Sequence, residues 1–510
     1  MIQIAKSKDK FYLTTAIPYV NAAPHLGHAL EFIQTDAMGR YRKAQGYEVA
    51  LVTGSDENSL KNVHAAEAQG ITTAQLCEEN AAAFRAMADA VGLSYTDFVR
   101  TSDRKAHVPG ILELWRRVEK SGDLHKKKYR GLYCVGCESF YEEGELKDGV
   151  CPEHNKKPVE VEEENYFFKL SRYEKKLEEL IEKDELLILP EERKNEVLSF
   201  VRGGLKDFSV SRSVERAKGW GVPVPSDASQ IMYVWFDALG TYLTGVGFGT
   251  DEKRFKKFWP ADVHVIGKGI LRFHAVYWPA MLLSAGLPLP KRVFVHGYIS
   301  VEGQKMSKSL GNIVDPMAMI GKYGVDPIRY CLLGGVPTFS DGDFSEKELV
   351  AKNNNELVAN FGNFAYRTQK LIEKFYANVI PSAKLDADDE TQLAKIDEYA
   401  KKISAEMEKY ELRRGLELLM ELSSSFNKYL SDREPWKNEA KRAQTLYVSS
   451  RGLSALAILC GPFLPFTSAR MRGALGIKVA LWEDAGKELV KPGAKLEAPE
   501  QLFRKIEEKK

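Results

Sequence analysis

The segment from Phe11 to Glu31 constrains the fold more than any other, because it predicts a strand, a turn and a helix in direct succession. The run 11–17 is short, apolar and partly β-branched, as a buried strand is. The residues Asn-Ala-Ala-Pro at 21–24 break this run, and Pro24 favours the first position of the helix that follows. Such strand–helix units build parallel α/β sheets.

The region from about 10 to 115 continues this alternation of strands and helices. The apolar run 49–53 predicts a second strand, and the alanine-rich segment Thr73–Ala90 predicts a helix. Ligands of such sheets bind at the carboxyl ends of the strands, so we expect the site in the loops after Ile17 and Thr53. The second loop carries Asp56, which either caps a helix or binds a substrate ammonium group.

The helix start carries the four residues His25-Leu26-Gly27-His28. The two histidines are three positions apart and share a helix face, at the end where backbone N–H groups favour phosphate. Gly27 leaves the backbone bare, so that a flat base could lie against it. The pattern indicates a nucleotide site, and the alternative is a pair of structural histidines.

A second motif, Lys-Met-Ser-Lys-Ser at 305–309, follows the apolar run 293–299 and is flanked by Gly303 and Gly311. It predicts a loop that carries two lysines and two hydroxyl groups, and the alternative is a solvated basic turn.

Together the two motifs resemble the HIGH and KMSKS signatures of class I aminoacyl-tRNA synthetases, in the same order. The resemblance implies ATP-dependent activation of an amino acid, with magnesium accompanying ATP. The implied catalytic residues are His25, His28, Lys305 and Lys308. The implied ATP-binding residues are these four together with Gly27 and Ser307.

Within the class, the whole chain resembles the methionyl-tRNA synthetase family. The matching segments are Pro18-Tyr19, Asp56, the sequence WFDALGTY at 235–242 and the sequence IGKGILRFH at 266–274. By this resemblance Asp56 binds the methionine ammonium, and aromatic residues select the polarizable thioether. The implied methionine-binding residues are Ile17, Tyr19, Asp56, Trp235, Ala238, Leu239, Tyr242, Ile270, Phe273 and His274. For any one of the aromatic residues alone, ordinary core packing is the alternative.

The chain departs from the family pattern at two places. The second loop ends in Asn58-Ser59 where many relatives have His-Gly, and Gly269 stands where the family has aspartate. These positions border a polar site, so the departures bear on substrate or ribose contacts but leave both signatures and Asp56 intact.

A polar segment between about 117 and 230 contains the spacing C-x₂-C-x₁₃-C-x₂-H. Three thiolates and one imidazole form a closed tetrahedral set, which favours structural zinc because no position is left for a substrate. A redox CxxC pair is the alternative, and it leaves the second half of the pattern unexplained. The predicted ligands are Cys134, Cys137, Cys151 and His154.

From about 350 the sequence predicts a helical bundle, with long helices at Thr391–Lys409 and Arg413–Leu430. A capping domain is the plain interpretation. In the family this bundle reads the CAU anticodon, and the matching residues here are Asn363, Arg367 and Trp436. An indole is a stacking platform for an unpaired base, and Asn and Arg bond base edges.

The predicted fold class is therefore α/β: a Rossmann-type parallel-sheet catalytic domain with a zinc-knuckle insertion and a C-terminal α-helical bundle. The predicted division is a first catalytic half at 1–116, an insertion at 117–230, a second catalytic half at 231–294, a connecting region at 295–350 and an anticodon-binding domain at 351–510.

Composition agrees with a large globular enzyme of 510 residues, 44% hydrophobic and 28% charged. A net charge of +2 neither requires nor excludes a nucleic-acid partner. The N-terminus lacks a signal-peptide core and no apolar span of membrane length occurs, so we expect a cytoplasmic enzyme. The sequence ends at Lys510 without the OB-type dimerising domain of some relatives, which predicts a monomer.

The predicted function is ligation of methionine to tRNA(Met) through methionyl-adenylate. Isoleucyl, valyl and leucyl enzymes are excluded because they carry a large editing domain, and the insertion at 117–230 is too short to contain one. Three alternatives stay open: a small-molecule nucleotidyltransferase, another class I synthetase such as the cysteinyl enzyme, and a non-catalytic RNA-binding paralogue.

Overall fold

The computed structural model describes residues 8–134, 139–141, 143–152, 155–306 and 311–507, with side chains throughout except at positions 8, 139, 140 and 305. The strands are β1 Lys8–Thr14, β2 Tyr47–Ser55, β3 Asp97–Arg100, β4 Leu124–Cys134, β5 Ser139–Tyr141, β6 Val159–Phe168, β7 Leu187–Leu189, β8 Phe208–Ser209, β9 Ser211–Ser213, β10 Pro223–Val224, β11 Asp227–Met232, β12 Val263–Gly267, β13 Arg292–His296, β14 Ile299–Val301, β15 Gln304–Lys305 and β16 Gly342–Phe344.

The α-helices of the catalytic half are α1 Leu26–Ala44, α2 Leu60–Gln69, α3 Thr73–Ala90, α4 Val108–Lys120, α5 Glu174–Glu182, α6 Glu191–Arg202, α7 Val234–Leu239, α8 Thr241–Thr244, α9 Glu252–Phe258 and α10 Trp278–Ser284. Those that follow are α11 Pro316–Tyr323, α12 Val325–Gly335, α13 Glu346–Lys352, α14 Asn363–Tyr376, α15 Ala387–Glu408, α16 Leu412–Arg433, α17 Glu439–Leu459 and α18 Pro465–Ala474. Two π-helical segments, Phe273–Tyr277 and Asn353–Gly362, precede α10 and α14.

Six parallel strands form the central sheet in the order β3-β2-β1-β12-β13-β7. Leu13 of β1 lies beside Leu51 of β2 on one side and Val263 of β12 on the other. The strand order reverses between β1 and β12, so this is the point where the loops after neighbouring strands diverge and leave a crevice. The predicted parallel sheet is therefore confirmed.

Both faces of this sheet are covered, which explains the buried apolar runs 11–13, 50–52 and 293–295 within its strands. Tyr12, Ala50 and Val52 pack into one core, together with the helices that follow β3 and β12. Leu13 and Leu51 point the other way, into a second core that includes α1, α3 and the C-terminal helices. A strand buried on both faces cannot alternate apolar and polar residues.

The strands of the segment 117–230 pair mostly in antiparallel fashion, and the helices α5 and α6 lie between them in the sequence. A four-stranded sheet has the order β5-β4-β6-β8, and a three-stranded sheet has the order β10-β11-β9. The short strand β7 lies inside this segment, yet it pairs with β13 and forms one edge of the central sheet. The segment is thus anchored to the catalytic sheet at its middle as well as at its ends.

The C-terminal helices pack directly on α1, the helix that begins at the first motif. The Tyr41 hydroxyl bonds Ser404 Oγ at 2.6 Å, and Arg42 forms two bonds of 2.7 Å to the Glu408 carboxylate. Arg329 of α12 is fully buried and pairs with Asp36 of α1 at 2.7 Å. The predicted helical region is confirmed, and it continues the catalytic core.

The predicted boundaries differ from the observed ones in detail. Helix α3 has the predicted ends. Helix α15 begins four residues earlier than predicted and ends one residue earlier, whereas α16 extends beyond both predicted ends. The prediction that Pro24 occupies the first helical position is wrong, because the helix begins at Leu26. Among the described residues, no helix is long and apolar enough to cross a membrane.

Candidate active site

The two histidines of the first motif form the start of α1 through their side chains. His25 is the residue that caps the helix, and its Nδ1 accepts the Gly27 N–H at 3.1 Å. His28 reaches back, and its Nδ1 accepts the His25 N–H at 3.2 Å. The pair thus forms a reciprocal cap of the kind usually made by Ser or Thr with Glu. His25 therefore precedes the helix, whereas the sequence predicted both histidines on it.

This cap fixes where the imidazole protons lie. In each neutral ring the Nδ1 atom is an acceptor, so the proton is on Nε2 and available to a ligand. Burial lowers the pKa of His25 and lowers that of His28 well below its ordinary value. Two neutral N–H donors beside the positive end of a helix form a site suited to phosphate.

The segment of the second motif lies against this helix start. The Leu26 N–H donates to the Val314 carbonyl at 3.2 Å, and a Cβ on Gly27 would lie 3.6 Å from Met306 Cε. The same Cβ would lie 3.0 Å from the His25 ring, so a side chain at position 27 requires this ring to shift by a few tenths of an ångström. Met306 of the second motif therefore lies beside Gly27 of the first. Ser307, Lys308 and the side chain of Lys305 are outside the described part of the chain.

A backbone bridge joins the Pro18-Tyr19 loop to the loop after β2. The Asp56 N–H donates to the Pro18 carbonyl at 2.8 Å, and the Val20 N–H donates to the Asp56 carbonyl at 3.4 Å. Asp56 is 2% exposed, and the Asn62 side chain also donates to its carbonyl oxygen. Two predicted site residues that are far apart in the sequence, Tyr19 and Asp56, are thereby neighbours in one parallel bridge.

Aromatic side chains extend from this bridge across the crevice. Trp235 stacks on Phe273 with ring centroids 3.9 Å apart and an angle of 6° between the planes. The edge of Tyr19 faces Trp235 at 6.3 Å, and the edge of His274 faces Trp235 at 6.1 Å. Four of the predicted aromatic residues therefore lie within one cluster, at the carboxyl edge of the sheet next to Asp56.

Tyr242 and His274 form a buried hydrogen-bonded pair at the base of this cluster. The His274 Nδ1–H donates to the Ile270 carbonyl at 2.9 Å, so Nε2 accepts from the Tyr242 hydroxyl at 2.7 Å. Burial lowers the pKa of His274 to about 4, which keeps the ring uncharged near neutral pH. The bottom of the cluster therefore carries no charge, which suits an apolar ligand.

The remaining predicted residues of this set have two environments. Ile17 and Ile270 are half-buried in the loops after β1 and β12, at the mouth of the crevice. Ala238 and Leu239 of α7 are buried, and Leu239 belongs to the core beneath the sheet.

Asn58, Ser59 and Gly269, the three positions at which the sequence departs from the expected motif pattern, have defined contacts. The Asn58 amide donates to the Asp237 carboxylate, and Ser59 caps α2 by accepting the Lys61 N–H at 3.0 Å. Gly269 lies beneath Tyr298, whose hydroxyl would clash with a Cβ at position 269. A side chain at position 269 therefore requires that Tyr298 move.

The sequence interpretation missed a buried carboxylate that braces the crevice. Glu31 of α1 accepts the Ala16 N–H at 2.8 Å and bonds His296 Nε2 at 2.9 Å. It ties the loop after β1 to the end of β13 on the far side of the switch point. Its signal in the sequence is an acidic residue within an otherwise apolar helix stretch, which indicates a specific buried partner.

The predicted anticodon residues lie together at one end of the helical region. Asn363 and Arg367 are one turn apart on α14, and the Arg367 guanidinium lies 5.3 Å from the centre of the Trp436 ring. Trp436 follows the end of α16, in a turn where the Pro435 carbonyl accepts from Arg442 Nε at 2.7 Å. The arrangement presents an indole, a cation and an amide on one surface.

Two of the four predicted zinc ligands are described. Cys134 ends β4 and is paired with Ser139, and Cys151 begins a tight turn closed by its own backbone groups with Asn155 and Lys156. Both thiols are buried, which suits metal ligation better than exposure to solvent. Cys137 and His154 lie outside the described residues. Within the described residues, no group of three or more His, Cys, Asp or Glu side chains is placed to hold a metal ion.

Comparison with known proteins identifies the family. A model of the family "tRNA synthetases class I (M)" matches residues 11–157 and 141–369. A model of the "anticodon binding domain of methionyl tRNA ligase" matches residues 380–510. The matches together cover the catalytic sheet, the segment with the cysteines and the C-terminal helices.

Full-length relatives agree with these matches. A methionine–tRNA ligase of Rhizobium meliloti is 42% identical over 98% of this chain and 98% of its own, and one of Mycobacterium leprae is 41% identical over 91% and 89%. The structure of Mycobacterium tuberculosis methionyl-tRNA synthetase in complex with methionyl-adenylate superposes with a TM-score of 0.93 at 40% identity, covering 97% of this chain and all of that one. The chain therefore belongs to the methionyl-tRNA synthetase family of class I aminoacyl-tRNA synthetases.

Proposed function

We propose that this chain is a methionine–tRNA ligase, which activates L-methionine with ATP and transfers the methionyl group to tRNA(Met). One observation carries the proposal: the loop after β1 carries Tyr19, which bridges Asp56 and faces Trp235, and then leads to the two neutral histidine donors at the start of α1. That combination suits a nucleotide phosphate beside an amino acid with an apolar side chain.

In this proposal methionine binds between Asp56 and the aromatic cluster. The Asp56 carboxylate pairs with the ammonium group. Because Asp56 is nearly buried, water competes little and the ion pair is strong. Trp235, Phe273 and Tyr19 contact the thioether, whose polarizable sulfur gains about 0.3–1.5 kcal/mol per aromatic contact. The hydroxyl of Tyr242 is engaged by His274, so the base of the cluster offers no free charge to a competing polar side chain.

The first chemical step joins methionine to AMP. A carboxylate oxygen of methionine attacks the α-phosphorus of ATP, and the bond to the bridging oxygen breaks in line, so that pyrophosphate leaves with the electron pair. The Nε2–H groups of His25 and His28 donate to phosphate oxygens, and Lys305 and Lys308 neutralise the leaving group. Catalysis then consists of positioning and electrostatic stabilisation, without a covalent enzyme intermediate.

In the second step a ribose hydroxyl at the tRNA 3′ end attacks the carbonyl carbon of the adenylate and loses its proton to solvent. The bond from this carbon to the phosphate oxygen breaks, and AMP leaves with the electron pair. The C-terminal helices bind the CAU anticodon through Asn363, Arg367 and Trp436. An indole contributes about 1–3 kcal/mol by stacking on an unpaired base. Because these helices share a core with α1, anticodon binding orients the tRNA on the same rigid body that carries the active site.

Two metals belong to this proposal. Cys134, Cys137, Cys151 and His154 hold one structural zinc ion, whose four protein ligands leave no place for a substrate. Magnesium enters with ATP, because Mg²⁺ usually binds through substrate phosphates.

The proposal also covers organisation and location. The chain divides into a catalytic domain at 1–116 and 231–294, an insertion at 117–230 anchored through β7, a connecting region at 295–350 and an anticodon-binding domain at 351–510. It acts as a cytoplasmic monomer, and light scattering of the purified protein tests its oligomeric state.

The decisive experiment is ATP–pyrophosphate exchange with each of the twenty amino acids, without tRNA, on zinc-replete protein. Exchange with methionine alone supports the proposal. Exchange with another amino acid overturns the assignment of the crevice, and no exchange at all favours an RNA-binding paralogue. Charging of tRNA(Met) with and without an altered CAU anticodon then tests the second step.

A further inference from the structure

The side chain of Asn58, in the loop after β2, links two parts of the crevice. The amide nitrogen donates to Asp237 Oδ2 at 2.7 Å and to the Thr101 carbonyl at 3.0 Å. Both partners are acceptors, so the NH₂ group rather than the carbonyl oxygen of the Asn58 amide must face them. Neither contact was evident from the sequence.

The Asp237 carboxylate depends on two N–H donors. Its side chain is 1% exposed, and its other oxygen, Oδ1, bonds His107 Nε2 at 2.9 Å. The second nitrogen of His107 bonds Thr244 Oγ1 at 2.8 Å, which orients the ring. Among the described residues no lysine or arginine forms an ion pair with Asp237. A buried carboxylate held in this way is sensitive to the loss of either donor.

This hydrogen bond lies between the two halves of the proposed methionine site. Asn58 is two residues after Asp56, which pairs with the ammonium group, and Asp237 lies between Trp235 and Ala238 on α7. The loop after β2 and the helix α7 are far apart in the sequence. A functional site requires its groups to be held within about 0.5 Å of the productive geometry, so a bond between the carriers matters to binding.

We infer that Asn58 is a positioning residue that sets the distance between Asp56 and the aromatic cluster, and thereby the affinity for methionine. It does so by supplying an N–H donor to the buried Asp237 carboxylate. This inference rests on the proposed function, because it takes the crevice to be the methionine site. Asn58 itself need not touch the substrate.

The test compares three substitutions of Asn58 in ATP–pyrophosphate exchange, with methionine and ATP varied separately. Asn58→Asp places a second carboxylate against Asp237, and we expect the KM for methionine to rise at least about tenfold. We expect the KM for ATP to change by less than about twofold, since the histidine pair is not involved. Asn58→His keeps an N–H donor at this position, and we expect its KM for methionine to stay within about threefold of the parent value. For Asn58→Ala we expect a KM for methionine between those of the other two variants.

A reciprocal pair distinguishes this role from a loss of folding. In Asn58→Asp combined with Asp237→Asn, position 237 again offers an acceptor to His107 and now a donor to position 58. We expect the double variant to recover part of the methionine KM lost in Asn58→Asp. Thermal melting of every variant provides the folding control.

Each result has one meaning. If Asp56→Asn leaves the methionine KM unchanged, the proposed methionine site fails, whatever Asn58 does. If Asp56→Asn raises it while Asn58→Asp does not, the inference about Asn58 is overturned and the site stands. Equal rises of both KM values with a lowered melting temperature in Asn58→Asp also overturn the inference, because they indicate general destabilisation.

Discussion

The imidazole rings of His25 and His28 stack with centroids 3.8 Å apart, and each ring accepts a backbone N–H through Nδ1 at the start of α1. The same side chains therefore cap the helix and direct their Nε2–H groups outward. Because each side chain has both roles, an alanine substitution removes the helix cap and the Nε2–H donor together.

Substitution of His25 by Asn and by Ala tests the two roles separately. Asn is a good cap and keeps an acceptor for the Gly27 N–H, so we expect His25→Asn to retain about 1 kcal/mol of stability that His25→Ala loses. Both variants lack the Nε2–H donor, and we expect both to form adenylate about 10²–10³ times more slowly. Urea unfolding and single-turnover adenylation measure the two quantities. Normal adenylation by the His25→Asn variant would refute a phosphate contact.

Lys308→Ala is expected to slow adenylate formation by about 10²–10³, because one electrostatic contact to the leaving pyrophosphate is lost. The affinity for methionine should be nearly unchanged, since Asp56 and the aromatic cluster are not altered. Fluorescence titration with methionine and rapid-quench assays measure these effects. A matched control is Lys322→Ala, which removes an exposed lysine that pairs with Glu346 outside the motif. Near-normal single-turnover rates in Lys308→Ala would contradict the role.

The buried pair Tyr242–His274 predicts a dependence of stability on pH. The folded pKa of His274 is lowered to about 4 by burial, whereas an unfolded histidine titrates near 6.5. Between these two pH values only the unfolded chain binds the proton. The stability that comes from the neutral His274 is therefore fully present above pH 6.5 and is lost as the pH falls to about 4. The linkage amounts to about 3 kcal/mol.

Urea unfolding between pH 4 and pH 7 measures this loss, with His274→Gln as the matched variant. A glutamine oxygen can accept from Tyr242 and does not titrate. We expect a shallower acid slope in His274→Gln than in the parent protein. Identical slopes would show that the acid sensitivity has its origin elsewhere, for example at His264, whose pKa burial also lowers.

Arg442 offers a specific test of the anticodon surface. Its Nε bonds the Pro435 carbonyl at 2.7 Å, and its guanidinium lies 3.9 Å from the centre of the Phe375 ring, so it holds the turn that carries Trp436. We expect Trp436→Ala to raise the KM for tRNA about tenfold or more, as loss of one stacked base does. Arg442→Gln should raise it less, and should add little in the Trp436→Ala background.

Neither substitution should alter ATP–pyrophosphate exchange measured without tRNA, because the turn is remote from the crevice. A fully additive effect of Arg442→Gln in the double variant would mean that Arg442 acts independently of Trp436. An exchange defect would instead point to disturbed packing between the helical region and α1.

Removal of zinc is expected to destabilise the segment 117–230. A tetrahedral site with four protein ligands contributes folding free energy directly, so a chelator should lower the melting temperature and release one zinc ion per chain. Cys134→Ser should reproduce the loss without a chelator, and Cys77→Ser, at a buried cysteine of the catalytic core, is the control. Metal analysis that finds no zinc in active protein would refute the site.

The sequence alone determined the kind of protein and much of its chemistry. Residues such as His25, Asp56 and Trp235 sit in short motifs that resemble those of the family, so local order suffices to recognise them. The parallel sheet was predictable for a similar reason, because strands buried on both faces are continuously apolar and are followed by helices.

Only the tertiary structure decided how these motifs meet. The bridge between Tyr19 and Asp56, the bond from Asn58 to Asp237 and the brace from Glu31 to His296 join residues from different strands across the switch point of the sheet. Such partners are chosen by strand order and register, which no local pattern encodes. For the same reason the sequence could not tell that β7 returns to the central sheet, or that the histidines of the first motif cap the helix they begin.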